Sequence, residues 1–122
     1  MTRLNINISE EFLQFGADIM VFTDLLASSR VNNAIINQVL RSGTSAGANY
    51  EEACGAESKA DFIHKIHISY KELRETNYWL RLIRKSGKIE LGKIEPIIVR
   101  SELLLNILGR SLVTIKGNIR KS

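Results

Sequence analysis

A single cysteine, Cys54, stands among 122 residues, so no internal disulfide can form and nothing points to an oxidising compartment. The start, MTRLNINISEEF, lacks the basic residues and long apolar stretch of a signal peptide. No uninterrupted apolar run reaches the ~18 residues that a membrane span needs. With no leader and no span, a cytoplasmic protein without membrane contact is expected. Only two histidines occur, His64 and His67, three apart and with no second cluster of ligand-type residues. That excludes a recognisable metal site, and no cofactor motif is present. There is no low-complexity tract and no linker, so residues 1–122 are expected to form a single domain. A chain of this size can bury roughly two-thirds of its unfolded surface and needs no staple.

What the chain does have is helix-period apolar spacing. Alternation of strand period is confined to Leu4, Ile6 and Ile8. Ser9, followed by Glu10 and Glu11, reads as a helix start, and a first seam runs Phe12, Phe15, Ile19, Phe22, Leu26. After a joint near Ser28 to Asn33, a second helix turns Ile36, Val39, Gly43, Ala46, Tyr50 and Ala53 inward. Ser58 with Asp61 forms a variant capping box before the third seam, Phe62, Ile66, Ser69, Leu73, Thr76, Leu80, Ile83. Gly87 ends that helix, beside Arg84, Lys85 and Lys88. A last helix begins around Leu91 to Glu95, with Pro96 in its first turn and Gly117 and Asn118 at its end. Its seam is Ile98, Ser101, Leu105, Leu108, Leu112, Ile115. Four helices, each with one apolar stripe and short joints between them, predict an all-α, antiparallel up-down four-helix bundle.

Three segments of this pattern carry more than periodicity: QVLRSGTSAGANYEEA at Gln38 to Ala53, SKADFIHK at Ser58 to Lys65, and KELRETNYWLRLI at Lys71 to Ile83. They resemble the small bacterial four-helix-bundle proteins first noticed as reading frames within intervening sequences of 23S ribosomal RNA genes. Gly47 departs mildly, standing where many relatives carry alanine or another small residue. The resemblance implies a bundle that assembles as a ring-like homopentamer. The chain is also similar to the accessory variability protein of retroelements, a basic pentameric barrel that binds nucleic acid and a reverse transcriptase. For most relatives no biochemical activity is implied.

Arg41, Ser45, Asn49 and Glu52 correspond to polar positions of that family signature and lie on one line of the second helix. They predict either an interior hydrogen-bond network shared with Glu72 or Glu75, or a ligand contact by Arg41 and Asn49. Ser45 has no histidine within a turn, so nucleophilic catalysis has no base, and no enzyme is expected. Gly43 and Gly47 form Gly-x-x-x-Gly in a run of small residues, which lets a neighbouring backbone come close. A phosphate loop would need a preceding strand and a following lysine, and both are missing.

Charge is the clearest functional cue. The chain carries a net +4, but residues 1–57 hold 3 Lys/Arg against 7 Asp/Glu, while residues 58–122 hold 14 against 6. Lys71, Arg74, Tyr78, Arg81, Lys85 and Lys88 recur at steps of three and four on one face of the third helix, away from its seam. A basic stripe with an aromatic is what a surface that tracks a nucleic-acid backbone uses. A solvated face with acidic partners elsewhere in the assembly would read the same way. Ile68 and Trp79 fall on another flank, and apolar surface there predicts burial against a second subunit. Cys54 is expected to be a small core residue. Two functions fit: a homopentameric ring that binds RNA or DNA through the stripe, or an adaptor ring with a protein partner.

Overall fold

The computed structural model describes residues 7–121, which form four helices: α1 (Ile8–Ala27), α2 (Asn33–Cys54), α3 (Lys59–Ser86) and α4 (Leu91–Lys121). Leu4 and Ile6 of the alternating start lie outside the described residues. Ile8 is already helical and packs against the core. The side chain of Asn7 caps α1, accepting from the backbone N–H of Glu10 at 3.2 Å, two residues ahead of the expected Ser9. Asn32 caps α2 at 2.8 Å, and Ser58 caps α3 at 3.1 Å through Asp61. These caps satisfy N–H groups that a helix start leaves unpaired. Gly87 closes α3 at φ +71°, a left-handed conformation that glycine adopts without steric cost.

The short joints force consecutive helices to run antiparallel. α1 packs on α2, α2 on α3 and α3 on α4, and a thin α1–α4 contact closes the bundle. α3 is therefore diagonal to α1. Phe12, Phe15, Ile19, Phe22 and Leu26 of α1 are all buried, as are Ile66, Ser69, Leu73, Thr76, Leu80 and Ile83 of α3. Full burial of one such leucine or isoleucine is worth about 1.5–3 kcal/mol relative to exposure.

Four expectations need correction. In α4 the fully buried place belongs to Leu104, and Leu105 is only half-buried, because the helix turns Ile94, Ile97 and Ile98 inward together. Pro96 sits in the second turn, since α4 already begins at Leu91; its missing N–H faces the carbonyl of Gly92 four residues back. α4 also continues past Gly117 and Asn118 to Lys121. Cys54 is exposed at the end of α2, where the chain turns out through Gly55.

The glycine pair lies where α1 crosses α2. A methyl group on Gly43 would lie 2.9 Å from both γ carbons of Ile19, and one on Gly47 would lie 3.2 Å from Cβ of Phe12. The backbone of α2 thus rests directly on the side chains of α1. Tyr50 fills the next position by stacking on Phe12, with ring centroids 5.2 Å apart. Burial, then the neighbouring Cys54, pushes its phenol up to about 12.

Candidate nucleic-acid interface

Lys71, Arg74, Tyr78, Arg81 and Lys85 are all exposed on one face of α3, whereas Lys88, expected on the same helix, is exposed but lies past its end at Ser86, beyond the left-handed Gly87. Among the described residues none of the five cations is ion-paired, although six ion pairs occur elsewhere on the surface. The reason is local. The acids of α3 in this stretch, Glu72 and Glu75, point to the opposite flank, where Arg41 of α2 occupies both.

That flank holds the polar line of α2. The Arg41 guanidinium donates to Glu72 at 2.9 Å and to Glu75, and its Nε donates to Gln38 at 3.1 Å. Lys65 reaches Glu52 at 2.7 Å. Between these ties Asn49 donates to the carbonyl and hydroxyl of Ser45 within its own helix. The line is not interior: Arg41 and Glu52 are exposed, and Ser45 and Asn49 half-buried. The polar groups inside the bundle are others. Ser69 donates to the carbonyl of Ala46 at 2.7 Å, and Thr76 donates to Ser42 at 2.8 Å, joining α2 to α3. Small hydroxyls bonded across the seam let these two helices come close without stranding a polar atom.

Ile68 and Trp79 lie on the same flank as Arg41, and both are half-buried by their own chain. The Trp79 indole N–H donates to Glu75 Oε2 at 3.0 Å, and its ring meets Tyr78 edge-on at 5.1 Å. Glu75 Oε2 thus accepts from both Arg41 and Trp79. These two bonds, that from Arg41 first, hold its carboxyl below the usual carboxylate range. Since the folded value is the lower one, the stabilisation is complete above the ordinary glutamate pKa. It is lost as pH falls through the folded value. Trp79 is the sole tryptophan, so its fluorescence reports the step. Acid titration is expected to show a transition below the ordinary glutamate range. Glu75→Gln abolishes it, and Arg41→Ala moves it upward. For so exposed a pair the stability change stays under about 1 kcal/mol. A transition unmoved by both substitutions would assign it to another carboxylate.

Sequence reasoning missed a recess beside the stripe, of about 440 Å³, lined by Tyr70, Arg74, Asn77, Tyr78, Arg81 and, from α4, Leu105. Its floor is fixed. Buried Asn77 donates to Ser101 Oγ at 2.9 Å, Ser101 donates to the carbonyl of Ile98 at 2.7 Å, and Arg81 Nε donates to Asn77 Oδ1 at 2.8 Å. The placement of Asn77 between seam and stripe was the available signal.

Apolar residues remain uncovered on the opposite side. Leu13, Met20 and Val21 of α1 and Val99 and Leu103 of α4 are exposed, Val21 by 71%. A groove of about 610 Å³ runs along α1 and α2 past Leu13, Ala17, Met20 and Gly47. A second, of about 440 Å³, separates α1 from α4 beside Val21, Leu25 and Pro96. His64 is exposed and His67 half-buried on α3. Among the described residues no group of three or more His, Cys, Asp or Glu could hold a metal, and no helix is long and apolar enough to cross a membrane.

Comparison with known proteins supplies the relatives. The model of a family described as 23S rRNA-intervening sequence protein matches residues 5–110. A crystal structure of a protein of unknown function from the S23 ribosomal protein family of Bacteroides thetaiotaomicron is similar, with a TM-score of 0.81 and 35% identity. The match covers 86% of this chain and 97% of that one. No curated protein matches.

Proposed function

The chain belongs to the 23S rRNA-intervening sequence protein family, and from that premise we propose a non-enzymatic, homo-oligomeric bundle that binds RNA or DNA through α3. One observation carries the reading: four exposed cations share a face of α3, Lys88 follows just past its end, and none of the five pairs with a described carboxylate. Phosphate contacts by such a row release counterions, so binding is salt-dependent and weakly sequence-specific. Repetition of the row around a ring multiplies a modest charge per subunit.

The uncovered leucines and valines of α1 and α4 support assembly, and they shift the expected contact away from Ile68 and Trp79, which their own chain half-covers. α1 is diagonal to α3, so an interface there leaves the stripe free. The number of subunits, five, follows from the family resemblance alone.

Light scattering at low and high salt, with and without a pool of cellular RNA, tests the reading. The expected particle has about five times the 13.7 kDa chain mass and gains mass with RNA only at low salt. Val21→Glu with Leu103→Glu, both at exposed positions, is expected to reduce it to the monomer with helicity unchanged. A ring that ignores RNA at low salt would replace this reading with an adaptor that binds a protein. A wild-type monomer would remove the assembly.

A further inference from the structure

We propose that the recess between Tyr70 and Arg81 is a subsite for unpaired nucleotides, so that the stripe selects single-stranded over duplex nucleic acid. This rests on the nucleic-acid reading above and goes further, because a row of charges alone prefers neither form. Tyr70, Arg74, Tyr78 and Arg81 follow one another at steps of four, four and three, so aromatic and cationic groups alternate along one line of α3, about 6 Å apart. The cations are suited to phosphates. The aromatic rings are suited to bases, but only to bases whose faces are free, since in a duplex those faces are stacked on neighbouring pairs.

The local geometry favours a built site over a chance row. Arg81 spends its Nε on Asn77, and Asn77 is itself held by Ser101 of α4. The guanidinium is thus aimed by a buried group, and its two terminal nitrogens keep no partner among the described residues. That leaves a planar pair of donors for phosphate oxygens. Tyr78 is half exposed, and its edge-on contact with Trp79, itself tied to Glu75, restrains the ring before anything binds. Tyr70 is half-buried and rests against Gly109 of α4, where an added methyl would lie 3.6 Å from its ring and hydroxyl. It forms the wall of the recess toward α4. Leu105 supplies the apolar side. The recess, about 440 Å³ and open to solvent, falls in the range of small-ligand sites. A planar base between Tyr78 and Leu105, with flanking phosphates on Arg74 and Arg81, uses every exposed group of the lining.

Fluorescence anisotropy with one labelled mixed-sequence RNA, presented as a single strand and as its duplex, tests this at fixed low salt. The same sequence as single-stranded DNA forms a third arm. Wild type is expected to bind both single strands at least tenfold more tightly than the duplex. A single-strand preference limited to RNA would add 2′-hydroxyl recognition to the site. Tyr78→Ala should weaken single-strand binding by about 5- to 150-fold, the range for loss of one stacked base, and leave duplex binding unchanged. Tyr78→Phe keeps the ring and should keep the affinity. Arg81→Lys retains the charge but not the Asn77-held plane, and should weaken the single strand more than the duplex. Lys85→Ala with Lys88→Ala, outside the recess, should weaken both equally. Tyr78 and Arg81 are exposed, so these variants are expected to fold, with circular dichroism as the check. Nucleic-acid binding that Tyr78→Ala leaves unchanged, or reduces equally for both forms, overturns the subsite and spares the stripe. Absence of all binding in wild type overturns both.

Discussion

Changing Arg74, Arg81 and Lys85 to glutamate is expected to lower affinity for single-stranded RNA on the order of a hundredfold or more at low salt. The oligomer should stay intact. Each reversal removes two units of charge, so the formal net charge moves from +4 to −2. The change is concentrated on the one face whose cations pair with no described carboxylate. Loss of three phosphate contacts should also flatten the dependence of log affinity on log salt by about 2, at ~0.7 per contact for a single strand. The slope matters more than the affinity, because misfolding would lower affinity without a predictable change in slope. All three positions are exposed and free of ion pairs, and the one described bond the fold loses is that from Arg81 Nε to Asn77 Oδ1. Reversal of Arg30 and Lys59, exposed cations off this row, should have only the small effect of net charge. An equal loss in that control would make binding a property of total charge. Retained binding in the triple variant would remove α3 as the interface.

The face of α3 is legible in sequence because helix period alone separates Lys71, Arg74 and Arg81 from Leu73, Leu80 and Ile83. The same logic fixes all of the α1 seam. It fails where neighbouring residues are chemically alike. Leu103, Leu104 and Leu105 all suit a core, and only packing against α1 and α3 selects Leu104. It fails again in α2, where Ser42 and Ser45 are equally small and polar. Ser42 is the buried one, because Thr76 waits across the seam to bond it, whereas Ser45 looks outward along the Arg41 line. A polar line read as interior thus became a bridge along the rim. The recess was harder still. Asn77 acquires its meaning from Ser101, 24 residues later on another helix, and no periodicity within α3 contains that bond.

Gly43→Val is expected to destabilise the bundle by about 3 kcal/mol. The added β carbon would fall 2.9 Å from both γ carbons of Ile19, well inside contact distance. Ile19 is fully buried and branched at its own β carbon, so it cannot swing aside. α1 and α2 must then part along their length, and overpacking of this kind typically costs about 1–3 kcal/mol, with valine's two γ carbons at the upper end. Gly43→Ala should cost less, because alanine recovers roughly 1 kcal/mol of helix propensity. Gly47→Ala should be close to neutral, since its nearest contact, Cβ of Phe12, is at 3.2 Å and needs to yield only a few tenths of an ångström. Urea unfolding of the single and double variants tests the cause. Ile19→Ala alone leaves a cavity and should cost about 2–5 kcal/mol. Combined with Gly43→Val, it removes all three atoms in the clash and gives the valine a space to fill. The double variant should therefore be more stable than the two single losses predict, by 1 kcal/mol or more on the scale of about 0.5–3 for residues in contact. Strict additivity would mean that α2 does not lie on Ile19, and that the small-residue run serves some surface other than the crossing with α1.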